Sequence, residues 1–212
     1  LWQRREQELE GALSILGVAR GEFLGYKDSG MAGEPTNEDP ACFWQADVDE
    51  AGARLAGMLR EEAVDVLSVY DSNGNYGHPD HIQVHRVGVR GAELAGTPRV
   101  YENTFDRDYV LALMAEARAA GAPDFGADAP AGPEGDNNLF GMPGELITTR
   151  VDVRDYLGTK RKAMAAHASQ IAETSFFLAM PEDIFARTWG TEFYIRRGAP
   201  AGTVEDDILA GL

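Results

Sequence analysis

The chain reads as an α/β protein, three layers deep around a mainly parallel sheet. Two observations predict it. Short apolar, β-branched runs alternate along the sequence with longer stretches whose apolar residues recur every three to four positions. The 212 residues are 44% apolar, ordinary for a globular protein and enough for a sizeable core. A single domain over 1–212 is expected, and no internal repeat is visible.

The elements follow in order. Residues 1–17 pattern as a helix: Leu9, Ala12, Leu13 and Leu16 share a face, Arg4, Arg5, Glu6, Glu8 and Glu10 are interspersed, and Gly17 stops it. Gly21 to Tyr26 is a short strand candidate. Lys27 to Asp39, rich in Gly, Ser, Pro, Asn and Asp, is a long loop. Asp28 sits just past that strand, where a carboxylate can cap a turn or accept hydrogen bonds from sugar hydroxyls. Asp47 to Ala63 is a helix with Val48, Ala51, Leu55, Met58 and Leu59 inward. Val64 to Tyr70 is a buried strand, and a helix runs from Asp80 to Ala95. Pro98 to Asn103 is a strand, and Tyr109 to Ala120 a helix. Gly121 to Asn138, dominated by Gly, Ala, Pro and Asp, has little to bury and reads as a long surface loop, either a lid or disordered. Glu145 to Val153 alternates as a strand does, and Asp155 to Ile171 is helical. A helix opening at Pro181, a strand over Glu192 to Arg196 and a final helix over Val204 to Leu212 complete the pattern.

The formal charge of −16 excludes nucleic acid and anionic membrane as partners, since both call for a basic surface. Cys42 is alone, so no disulfide framework exists and a reducing, cytoplasmic setting is the default. No run approaches the ~20 apolar residues that span a bilayer.

Chemistry concentrates in the turn after the strand ending at Tyr70. Of the chain's four histidines, His78, His81 and His85 fall within eight residues. The string Tyr76-Gly-His-Pro-Asp-His81 leaves the carboxyl end of a strand and opens a helix, the place where open α/β sheets bind ligands. Pro79 suits a first helical turn, and Asp80 is favoured there by the helix dipole. Neutral imidazole is the commonest protein ligand for zinc, with carboxylate next to it in the usual sets. His85 and His167 read as structural or supporting rather than ligating.

The stretch Tyr70-Asp-Ser-Asn-Gly-Asn-Tyr-Gly-His-Pro-Asp-His-Ile82 resembles the second metal-site motif of the LmbE-like (PIG-L) zinc-dependent deacetylases, nearest their mycothiol-pathway branch. Arg5-Glu-Gln-Glu8 with Leu16-Gly-Val18, Asp28-Ser-Gly-Met-Ala-Gly33, Lys162 to Gln170 and the ending Asp206 to Leu212 resemble family segments in family order, while Glu102 to Asn138 matches poorly. The resemblance implies a Rossmann-like domain that hydrolyses the amide of an N-acetylglucosamine-type sugar or related conjugate, with one Zn2+ per site. It implies that His81 ligates the zinc and that His78 stabilises the oxyanion or protonates the leaving amine. Asp80 would orient an imidazole, Tyr76 would donate its hydroxyl to the tetrahedral intermediate, and Arg5 and Asp28 would hold the substrate. The family's first motif, Ala-His-Pro-Asp-Asp-Glu, supplies two further ligands and the general base, and no such string occurs in these residues. The expectation is therefore that the natural protein carries a segment ahead of Leu1 holding that motif and the first, central strand. Without that strand, residues 1–212 are expected to fold poorly alone. Two other readings stay open at this point: a non-catalytic sugar-binding relative, and a subunit whose site is completed by a partner chain.

Overall fold

The computed structural model describes residues 2–119, 140–172 and 175–212. The expected loop at 121–138, with the question of lid or disorder, lies outside them. Along the chain run α1 (Trp2–Leu16), α2 (Val48–Glu61), β1 (Val66–Tyr70), α3 (Gly74–Gly77), α4 (Pro79–Ala95), β2 (Arg99–Thr104), α5 (Arg107–Ala119), β3 (Thr149–Asp152), α6 (Leu157–Ala166), α7 (Phe176–Ala179), α8 (Glu182–Trp189) and β4 (Thr191–Arg196). They fall into two compact units, Leu1–Phe23 with Asp152–Thr191, and Leu24–Val151 with Glu192–Leu212. Among the described residues no helix is long and apolar enough to cross a membrane.

In the first unit α1 packs against α6. The Glu8 carboxylate accepts the Ser169 N–H at 2.8 Å and the Ser169 hydroxyl at 2.5 Å. Those bonds fall just beyond α6, so the helix expected to run to Ile171 ends at Ala166, with His167 outside helical geometry at ψ 47°. The acceptor that could have continued the helix ladder is replaced by a side chain from α1. In α8 Phe185 is buried, and the Arg161 guanidinium lies 4.3 Å over its ring.

The second unit holds the sheet, in the order β1-β2-β4-β3. Strands β1 and β2 are parallel, from Val66 opposite Arg99 to Tyr70 opposite Asn103, and β2 meets β4 antiparallel. The α/β expectation holds, with a mixed sheet. Helix α4 lies on β1 and β2 and packs side by side with α2. Its buried residues Pro79, Gln83, Val87, Gly91 and, next to them, Gly88 and Ala92 form one stripe at helical spacing. A Cβ on Gly88 would meet Val69 Cγ1 at 2.3 Å, so helix and strand come closer there than any side chain would allow. The caps are local and readable: the Asp47 carboxylate accepts the Glu50 N–H at 2.8 Å to start α2, and Gly96, at φ 74°, closes α4.

Three further expected elements are corrected. Gly21 to Tyr26 is not a strand: only Lys27 makes a bridge, to Cys42. A lone extended segment needs a neighbour to satisfy its backbone, and here the neighbour is two residues wide, through Lys27 N–H to Ala41 and Phe43 N–H to Lys27. The strand expected from Glu145 shortens to Thr149–Asp152, because a 3-10 turn at Gly144–Leu146 precedes it. That turn is fixed by the Gly144 N–H on the Asp108 carboxylate at 2.9 Å. Val204 to Leu212 is not a helix but a chain of turns. The Glu205 carboxylate there accepts from Thr149 Oγ1 at 2.9 Å, Tyr101 Oη at 3.1 Å and the Arg196 guanidinium at 2.6 Å. Arg99 takes the carbonyls of Ala210 and Gly211. These bonds to the sheet outcompete the local helical ladder.

Candidate active site

The site grows from the last residue of β1. Asp71, fully buried, continues the strand pairing through its N–H to the Asn103 carbonyl. The chain then turns through Gly74 and Asn75, at φ 61° and 64°, into the single irregular turn of α3. A Cβ on Gly74 would lie 2.8 Å from both His81 Cβ and Ile82 N, so the turn sits directly against the first turn of α4.

Three aromatic rings collect around His81. Its imidazole stacks on Tyr70 with centroids 4.0 Å apart and planes 8° from parallel, and on His78 at 4.8 Å. The Tyr76 ring meets it edge-on at 5.1 Å. His81 Nδ1 lies 3.2 Å from the Gly74 carbonyl. A carbonyl only accepts, so Nδ1 carries the proton and Nε2 presents its lone pair. Partial burial pushes the imidazole below its usual range, and the neighbouring His78 adds to the effect. Both favour the neutral ring, the form that ligates a metal.

His78 is fixed in the complementary tautomer. It is the N-cap of α4, and its Nδ1 accepts the Asp80 N–H at 3.1 Å. The proton of the neutral ring is therefore on Nε2, a donor. The Tyr76 hydroxyl is held above its usual pKa by burial and stays protonated, a second donor in the same cluster.

Asp80 joins the cluster to the loop before it. Its Oδ2 accepts the Ser29 N–H at 3.1 Å, while Oδ1 is buried without a hydrogen-bond partner. Ser29 is itself fully buried: its Oγ accepts the Trp44 N–H at 2.8 Å, and its carbonyl accepts from Thr36 Oγ1 and the Asn37 amide. That fastening presents Asp28, exposed, with one carboxylate oxygen on the Gly30 N–H at 2.8 Å.

Of the site residues read from the sequence, Tyr76, His78, Asp80, His81 and Asp28 come together in the second unit; Arg5 lies on α1 in the first. Asp28, His78 and Asp80 offer ligand atoms all within 4.8 Å of one another. Carboxylate and imidazole are donors that suit a divalent ion, but the His78 Nδ1 lone pair is engaged by the Asp80 N–H, and His81, whose Nε2 keeps a lone pair, lies outside that group of three. His85 lies behind: its Nδ1 donates to the Tyr70 carbonyl at 3.0 Å, with the buried Glu102 carboxylate at 3.8 Å. His167 is at the end of α6, in the first unit. Sequence reasoning passed over Asp71 and Ser29. The signal for Asp71 was present: an Asp directly after a buried strand, with Asn and Gly following, is a turn former whose side chain bonds the backbone ahead of it.

Comparison with known proteins gives this geometry a lineage. A family model described as PIG-L, GlcNAc-PI de-N-acetylase, matches residues 1–92, the span that holds the whole Tyr70–His81 turn. A 1D-myo-inositol 2-acetamido-2-deoxy-alpha-D-glucopyranoside deacetylase of Acidothermus cellulolyticus is 42% identical over 218 residues, covering 98% of this chain and 74% of its own. The enzymes of that name from Thermobifida fusca (41% identity, 92% of this chain and 71% of theirs) and Streptomyces griseus (40%, 100% and 71%) are similar to the same degree. Likeness of this strength across nearly every residue establishes that the chain belongs to the PIG-L family of de-N-acetylases.

Proposed function

We propose that the protein is a zinc-dependent amide hydrolase of the mycothiol-pathway branch, removing the acetyl group from an N-acetylglucosaminyl-inositol. The observation that carries this is His81, an imidazole held neutral with Nδ1 tied to a backbone carbonyl and Nε2 left to bind, beside two proton donors. The relatives' names supply the substrate class.

Zinc, when bound, polarises the amide carbonyl and brings a water within reach of ionisation at neutral pH. Such a centre takes three protein ligands, of which His81 is one; the motif that the resemblance assigns to the others is not among the 212 residues. His78 holds its proton at Nε2 and passes it to the leaving nitrogen, or shares it with the carbonyl oxygen as charge develops there. Tyr76 directs its O–H to the same oxygen. Asp80 sets the angle of the cluster through its backbone N–H on His78 and holds the Asp28 loop through Ser29. Asp28 accepts from sugar hydroxyls. A cytoplasmic setting fits Cys42, buried and outside any disulfide.

The test is release of free amine from 1D-myo-inositol 2-acetamido-2-deoxy-alpha-D-glucopyranoside by the natural full-length protein, wild type against His81→Ala. The variant is expected to lose both bound zinc and turnover. Zinc content and activity unchanged in His81→Ala overturn the assignment.

A further inference from the structure

The buried carboxylate of Asp71 takes part in no step described so far, yet it is the most fully used acceptor near the site. Its Oδ1 accepts the N–H groups of Asn73 and Asn75, both at 2.9 Å, and its Oδ2 accepts the Thr104 hydroxyl from β2. The Asn75 amide, turned so that its nitrogen faces the acceptors around it, adds a bond to Oδ2 at 3.0 Å. The Asp71 carbonyl accepts the Gly74 N–H at 2.9 Å. All five donors belong to the turn or to the strand beside it.

The turn requires such support. Gly74 and Asn75 both have positive φ, and for Asn75 that region is sparsely populated. Between the two peptide N–H groups that Asp71 fixes lies the Gly74 carbonyl, the acceptor of the His81 Nδ1–H. Thr104 fastens the carboxylate to the sheet rather than leaving the turn to hold itself.

Accepting the reading of His81 as a metal ligand, we infer that Asp71 is a positioning residue for it. By clamping the Asn73–Asn75 backbone, Asp71 holds the Gly74 carbonyl where His81 Nδ1–H can reach it, and so keeps the proton off Nε2 and that lone pair available to zinc. Partners that orient a ligating imidazole in this way typically change metal affinity by about 10–100-fold when removed.

The experiment uses the full-length protein labelled with 15N-histidine. Long-range 1H–15N correlation of the metal-free form reads the His81 tautomer, and competition with a chelator reads the zinc dissociation constant. Wild type is expected to show His81 protonated at Nδ1. Asp71→Ala is expected to move His81 toward the Nε2–H tautomer that a free imidazole side chain prefers, and to weaken zinc binding by about 10–100-fold with its far-UV spectrum kept. Asp71→Asn keeps one carbonyl for the two N–H groups but loses the other acceptor, and is expected to weaken zinc by about fivefold. A folded Asp71→Ala protein with His81 still protonated at Nδ1 and an unchanged zinc constant overturns the proposal. Should Asp71→Ala not fold, Asp71→Asn decides by the same two readings, no change in either overturning it. His81→Ala separates the two inferences: zinc held as tightly as in wild type refutes the ligand assignment, whereas the tautomer change still reports the link from Asp71 to His81.

Discussion

Replacing Gly74 with alanine tests how tightly the turn is built against the first turn of α4. The new Cβ would sit 2.8 Å from His81 Cβ and from Ile82 N, in a backbone with φ 61°. Ordinary contact between such atoms is about 3.5–4.0 Å, so turn and helix must separate by roughly 0.7 Å or more. The left-handed backbone itself costs an alanine about 1–2 kcal/mol. Overpacking against Ile82 N, a backbone atom that cannot rotate away, adds about 1–3 kcal/mol. The sum, about 2–5 kcal/mol, lowers Tm by roughly 5–15 °C for a chain of this size. If the protein relieves the contact by moving the helix start instead, His81 and His78 are displaced beyond the roughly 0.5 Å tolerance of a working site, and turnover falls by about a hundredfold. Thermal unfolding and amine-release kinetics on the same sample detect either route. A Gly74→Ala protein with wild-type Tm and wild-type kcat/KM would show that the turn and helix are not in the contact described.

Two further outcomes follow from residues outside the immediate cluster. His85→Ala is expected to keep its zinc and to lose about 1 kcal/mol of stability with the Tyr70 carbonyl bond, read by denaturant unfolding and metal analysis; loss of zinc would make His85 a ligand. In the first unit, the Ser169 hydroxyl leads the causes that hold the Glu8 carboxyl below its usual 4.5, so this pair stabilises the fold above that pH and the contribution fades as pH falls through the lowered value. The stability difference between wild type and Ser169→Ala should accordingly shrink in acid, and a difference independent of pH from 7 to 3 (roughly the span over which a carboxyl titrates) refutes the pairing.

The legible parts of the chain were those whose burial follows a local period. β1 is a short apolar, β-branched run interrupted only by the exposed Ser68, α4 shows its stripe at i, i+4, and Asp47 and Gly96 mark helix ends by their own chemistry. The histidine-bearing turn stood out because three of the four histidines cluster after a strand, and the structure brings Tyr76, His78, Asp80 and His81 together there. What escaped was set by partners far along the chain. Val204 to Leu212 has helical composition, but Glu205 is held by Thr149, Tyr101 and Arg196, residues that no window of ten can contain. The extra turns expected of α6 were given up to the carboxylate of Glu8, 161 positions away from Ser169. Asp71 was passed over because its burial is settled from afar: a carboxylate after a strand looks like a surface turn until the Thr104 hydroxyl of β2, 33 positions on, is seen to reach it.

The sheet order has a consequence for synthesis. β4 lies between β2 and β3, yet it leaves the ribosome last of the four, and the carboxylate that ties Tyr101, Thr149 and Arg196 together arrives nine positions after Arg196. Until then, among the described strands, β3 has no partner and β2 shows an open edge, a template for pairing with another chain. Completion of the sheet thus waits on residues 191–205, and a chain interrupted before them is expected to associate through the open edge of β2.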